Sequence, residues 1–244
     1  MPDAPRIITA HRLGLSFQNL FGQLGPERNV TGHYSAGPRA SNWKEGVARA
    51  RSFHEQHRNQ GWGGIGYHFV IADDGSLICA RPTILKGAHV GAHNTENLGV
   101  NCPGTTGDKP TREQRDTYRW LLANAHTGAL PAAHRTDAEL SQARLHVHNM
   151  WSGHESNGCA GSFKGMYVGG LKRGDGDDEP VDDFPTPPDA YADAVKVGDI
   201  VADHRHVSPD EVEEGKRGGE EFELEADPDF DEEAALKGAD PDAA

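Results

Sequence analysis

Between residues 146 and 159 the sequence runs HVHNMWSGHESNGC, which places His146, His148, His154 and Cys159 within fourteen positions. Imidazole nitrogen and thiolate sulfur are donors that zinc prefers, and a catalytic zinc takes three protein ligands while leaving a fourth position to water. This segment can supply two of the three. In ARLHVHN a strand would place His146 and His148 on one side and Leu145 and Val147 on the other, so one histidine could bind while its neighbour orients it or meets a substrate. Cys159 follows in a Gly-containing loop able to fold back on that strand. The pair alone does not establish a metal, because a histidine near a cysteine is commonly polar surface beside a small buried thiol. A distant third ligand is needed. NVTGHYSAGP offers His33, where a strand-like run ends among small residues, the place at which an α/β sheet presents its functional groups.

The elements that must position these residues are short apolar and β-branched runs: RIITAHRLGL, NVTGHYS, GIGYHFVIADDGSLICARP, LGVNCPG and ARLHVHN. The third contains Asp74-Gly75 between two strand-like halves, a hairpin signal. Helical stretches lie between the strands. SNWKEGVARARSFHEQHRNQGW has Ser41 as the expected N-cap and Trp43, Val47, Ala50 and Phe53 at helical spacing. PTREQRDTYRWLLANAHTG has a Thr111 cap, Gln114 at the capping-box position and Gly128 as a stop. Strands alternating with helices predict an α/β domain that ends near Gly170.

Charge divides the chain at the same place. From Leu171 onward there are 25 acidic and 7 basic residues, which leaves 13 and 17 of the totals of 38 and 24 for the first 170 residues, a body of +4 and a tail of −18. Residues 171–195 are Asp- and Pro-rich and read as a linker; residues 196–244 read as an acidic, largely disordered extension or a small docking element. Three cysteines show no disulfide framework, so a reducing compartment is expected. No run of eighteen apolar residues occurs, and MPDAPRIITAHRLGL lacks the charged and apolar regions of a signal peptide. Neither a membrane nor a nucleic acid is expected as a partner.

VTGHYSAGP, GWGGIGYHFVIADDGSL, GAHVGAHNTENLGV and HVHN followed by Cys-Ala-Gly, in this order across residues 30–163, resemble the zinc amidases that include phage N-acetylmuramoyl-L-alanine amidases and animal peptidoglycan recognition proteins. The resemblance implies a central mixed β-sheet flanked by helices, with a zinc in a groove that binds peptidoglycan. It matches His33 and His148 to the zinc histidines and Cys159 to the cysteine ligand, with Ala160 where the family has proline. The residues alone leave His146 and His148 open as alternatives. Cys102 sits in a more literal Asn-Cys-Pro-Gly, but at a place where the family has no ligand, and it reads as structural. Tyr67 matches the catalytic-site tyrosine, and His89, His93 and Asn94 match positions that line the substrate groove. One departure stands out: two residues before the ligand cysteine, where phage members often carry lysine and animal enzymes threonine, this chain has Asn157. Asparagine can donate to a developing oxyanion but brings no positive charge, so Glu155 or His154 could be needed for proton chemistry.

The expected activity is hydrolysis of the amide joining N-acetylmuramic acid to L-alanine, with zinc on His33, His148 and Cys159 and with Tyr67 and Asn157 as catalytic groups. The basic body suits an anionic wall polymer. A monomeric phage lysin, held in the host cytoplasm until release to the wall, is the leading reading. The alternatives are a binding-only peptidoglycan module, against which stands Cys159, since family members that only bind typically lack the cysteine, and a virion component docked by its tail to a phage tail or baseplate protein.

Overall fold

The computed structural model describes residues 4–10, 12–18, 21–169 and 221–222. Its centre is a six-stranded mixed sheet in the order β1-β5-β4-β6-β3-β7. The strands are β1 (Ile7–Thr9), β3 (Asn29–Tyr34), β4 (Phe69–Ile71), β5 (Leu77–Cys79), β6 (Asn97–Cys102) and β7 (Arg144–Val147). Asp74-Gly75 turns β4 into antiparallel β5, with Gly75 at φ 79°, while β4-β6, β6-β3 and β3-β7 are parallel. This is the mixed sheet flanked by helices that the resemblance implied.

The alternation of side chains sorts the core into two layers. Val70 and Ile78 face α1 (Trp43–Asn59) and pack with Ala50 and Phe53, whereas Phe69, Ile71, Leu77 and Cys79 face the other way, in one cluster with Tyr118, Leu121 and Leu122 of α2 (Arg112–Asn124) and Tyr167 of α3 (Lys164–Gly169). The cap of α2 is as expected, with Thr111 and Gln114 in reciprocal hydrogen bonds, although the helix stops at Asn124 rather than running to Gly128. The cap of α1 is one residue later than expected. Asn42 Oδ1 accepts from the backbone of Lys44 and Glu45, and Ser41 instead donates its backbone N–H to Glu45 Oε2. Asparagine outcompetes serine here because its carbonyl reaches both orphan donors.

A second, two-stranded sheet pairs β2 (Phe17–Gln18) with antiparallel β8 (Glu221–Phe222). Apart from those two residues, the linker and tail expected at 171–195 and 196–244 lie outside the described residues. Among the described residues no helix is long and apolar enough to cross a membrane.

Candidate metal centre

The site is set by the register of two neighbouring parallel strands. The β3-β7 ladder ends with Gly32 beside Val147, so His33 on β3 and His148 just past β7 both follow the last paired residues at the same end of the sheet. Their rings lie 4.9 Å apart between centroids. β7 stops at Val147, however, and His148 opens a short 3-10 turn. The alternation drawn through His146 and His148 therefore does not extend to His148. His146 lies instead beside Asn29, Nε2 to Oδ1 at 3.2 Å, with its ring 4.4 Å from that of Trp151.

The loop after His148 returns Cys159 to β3. The backbone N–H of Tyr34 points at Cys159 Sγ at 3.3 Å, and Sγ lies 3.7 Å from His33 Nδ1. One donor atom each from His33, His148 and Cys159 fall within 4.8 Å of one another, and all three residues are buried. Two imidazoles and a thiol converging without an acidic counterpart match a zinc donor set with room for a fourth ligand. Cys102, by contrast, is fully buried on β6, where burial pushes its thiol up to about 12. It lies outside the trio.

Glycines make room for the aromatic frame around the trio. A Cβ on Gly32 would fall 2.0 Å from the Tyr167 ring, and one on Gly99 would fall 2.7 Å from the His89 ring. Tyr167 donates its hydroxyl to the carbonyl of His33 at 2.8 Å, tying α3 to the backbone of a donor residue. Sequence reasoning passed over Tyr167, an aromatic that lies beyond the blocks at residues 30–163.

Of the residues expected to line a groove, His93 is partly exposed, stacks on Trp151 at 4.8 Å and reaches Ser152 O through Nε2. His89 is only 6% exposed, and its Nδ1 lies 3.1 Å from His33 Nε2. Burial lowers its pKa to about 4, so it is neutral near pH 7. Asn94 is buried as well, and its Oδ1 accepts from the backbone of both His89 and Val90. Tyr67 is buried with its ring 5.2 Å from that of His33, packed on Phe53. Asn157 is buried too, and its Oδ1 accepts from the Cys159 backbone at 2.8 Å.

The N-acetylmuramoyl-L-alanine amidase family model matches residues 23–161, more than half of the chain and the whole span of the trio. The chain belongs to that family.

Among similar members, the endolysin of Escherichia phage T7 is 29% identical across 43% of this chain and 76% of that protein. The endolysin of Klebsiella phage KP32 is 30% identical over the same shares. A human N-acetylmuramoyl-L-alanine amidase is 35% identical over 36% of this chain, but only 16% of its own length. The fold is shared with Drosophila peptidoglycan recognition protein SD, at TM-score 0.54 and 21% identity, covering 65% of this chain and 89% of that one. Bumblebee PGRP-SA is alike at TM-score 0.54 and 20% identity, covering 65% and 90%.

Glu155 and His154, the two residues expected to supply proton chemistry beside Asn157, lie in the adjacent loop. Hydrogen bonds from its own backbone N–H and that of Gly153 hold exposed Glu155 below the usual carboxylate range, which favours the ionised form and makes it a poor proton donor near neutral pH. His154 lies beside His148, with ring centroids 4.9 Å apart.

Proposed function

We propose that His33, His148 and Cys159 hold a zinc ion and that the chain hydrolyses the amide between N-acetylmuramic acid and L-alanine in bacterial peptidoglycan. The observation that carries this reading is the convergence of two imidazoles and a thiol at the ends of β3 and β7 in an amidase-family sheet. Zinc there would lower the pKa of a bound water and polarise the scissile carbonyl. The chain's own groups do the rest. Tyr67, wedged between Phe53 and His33, presents its phenol for orienting the water or passing a proton to the leaving amine. Asn157 has Oδ1 committed to the Cys159 backbone, so its donating end is Nδ2, which supports the developing oxyanion. His93 and Trp151 form a partly exposed stacked pair, with the His93 ring 5.9 Å from that of His154, suited to contact the glycan-peptide junction.

In this reading residues 1–170 are the hydrolase unit and 171–195 the linker. Residues 196–244 are an acidic tail, and the monomeric chain acts on the wall after release from the host cytoplasm; docking of that tail to a phage tail or baseplate protein belongs to the alternative reading as a virion component. The +4 charge of the body favours an anionic polymer.

The test is digestion of peptidoglycan by the full chain and by Cys159→Ala, with zinc per chain measured in both. New alanine amino termini without new reducing sugars, abolished in Cys159→Ala together with zinc, are expected. Reducing sugars in place of amino termini would identify a glycosidase and overturn the reading.

A further inference from the structure

Each histidine of the trio has a second imidazole behind it, and each second imidazole ends on a carbonyl of the stretch from Gly91 to Asn97, the loop that leads into β6 and the first residue of that strand. His33 Nε2 lies 3.1 Å from His89 Nδ1, and His89 Nε2 lies 3.0 Å from the carbonyl of Asn97. His148 Nε2 lies 3.2 Å from His154 Nδ1, and His154 Nε2 lies 3.0 Å from the carbonyl of Gly91. The two chains of contacts are alike atom for atom.

Hydrogen-bond chemistry fixes where the protons sit. A carbonyl oxygen only accepts, so neutral His89 carries its proton on Nε2 and its Nδ1 is an acceptor. The proton between the two rings then belongs to His33 Nε2. That leaves the lone pair of His33 on Nδ1, the nitrogen 3.7 Å from Cys159 Sγ. In its neutral form His154, whose Nε2 faces a carbonyl that only accepts, likewise carries its proton on Nε2, which places the shared proton on His148 Nε2 and the lone pair of His148 on Nδ1.

The loop that ends both relays is itself tied down. Asn94 Oδ1 accepts from His89 and Val90, Asn97 Nδ2 donates to the carbonyl of His93, and Thr31 Oγ1 donates to Asn97 Oδ1 from the strand that carries His33. Gly99 leaves on β6 the space the His89 ring fills, since a Cβ there would fall 2.7 Å from it. The two relays differ in setting: His89 is buried, whereas His154 is partly exposed in the loop that also carries Asn157.

We infer that His89 and His154 are paired positioning residues that hold His33 and His148 in the Nε2–H tautomer, so that both present Nδ1 to the zinc. This rests on the zinc reading above, and it adds that metal affinity is set jointly by two imidazoles that do not touch the metal. Groups that orient a metal-bound histidine typically contribute 10- to 100-fold in affinity.

The experiment uses the full chain with ¹⁵N-labelled histidine. Before zinc is added, long-range ¹H–¹⁵N spectra are expected to show His33 and His148 protonated on Nε2; either one protonated on Nδ1 overturns the inference for that relay. Zinc affinity is then measured by chelator competition in wild type, His89→Leu, His154→Leu, His89→Asn and His154→Asn, with the amide spectrum confirming the fold. The Leu variants are expected to bind zinc roughly 10- to 100-fold more weakly. The Asn variants, whose Oδ1 stands where Nδ1 was and can accept the same proton, should recover most of that loss. Leu variants that bind as tightly as wild type overturn the inference. A wild type that binds no zinc refutes the zinc reading instead, and the relays then stand or fall on the tautomers alone.

Discussion

Replacing Gly32 by alanine tests the link between the sheet and the metal centre. The added Cβ would fall 2.0 Å from Cγ of Tyr167 and 2.3 Å from both neighbouring ring carbons, where ordinary contact begins near 3.4 Å. Neither partner can yield cheaply. Gly32 is a rung between Val100 and Val147, and the Tyr167 ring is fully buried against Tyr118 at 5.1 Å. The ring must move by more than an ångström, which puts the cost at the upper end of overpacking, about 3 kcal/mol. Moving it also breaks the bond from its hydroxyl to the His33 carbonyl, about 1 kcal/mol more. In urea the midpoint should fall by about 1–2 M at unchanged slope. Zinc per chain should fall with it, because the tether to His33 is lost. Tyr167→Leu opens the space, so the double variant should be more stable than the two single losses predict, by about 1 kcal/mol or more. Strictly additive losses, or a Gly32→Ala midpoint equal to wild type, would refute the packing argument.

Two further outcomes follow from the site and the core. Asn157→Ala should lower kcat about a hundredfold, the usual loss for one oxyanion donor, while zinc per chain is retained; unchanged turnover would remove Asn157 from the chemistry. Burial lowers the pKa of His134 to about 4, outweighing its hydrogen bond to the backbone of Arg81. The unfolded chain binds that proton near pH 6.5 and the folded chain only near 4, so the folded state is fully favoured above pH 6.5 and loses ground as pH falls between those values. For His134 the loss amounts to about 3 kcal/mol across the window. Urea midpoints at pH 7 and pH 4 should therefore differ less in His134→Gln than in wild type, and parallel pH dependences in the two proteins would contradict the assignment.

Much of the fold was legible because its signals are local. Asp74-Gly75 has to turn, and Thr111 with Gln114 has to cap, whatever surrounds them. The shift of the α1 cap from Ser41 to Asn42 marks the limit of that logic, since two adjacent residues of capping type compete and the outcome depends on which oxygen meets the two backbone donors. Strand order was not local. Nothing near NVTGHYS says that it lies between LGVNC and ARLHV, yet that neighbourhood is what sets His33 beside His148.

The site divides in the same way. His33, His148 and Cys159 could be named from ordered blocks, because donor type and chain order survive in the sequence. Which nitrogen of each histidine faces its second imidazole could not, because it depends on contacts 56 residues away for His33–His89 and 63 away for His154–Gly91. His89, matched to a groove position by its neighbours in GAH, is turned inward by Asn94 and by the space above Gly99. Sequence thus records which atoms can bind a metal, while the sheet register and one loop's carbonyls decide how those atoms are aimed. Variants of that loop should consequently disturb zinc affinity even where they leave all three donor residues intact.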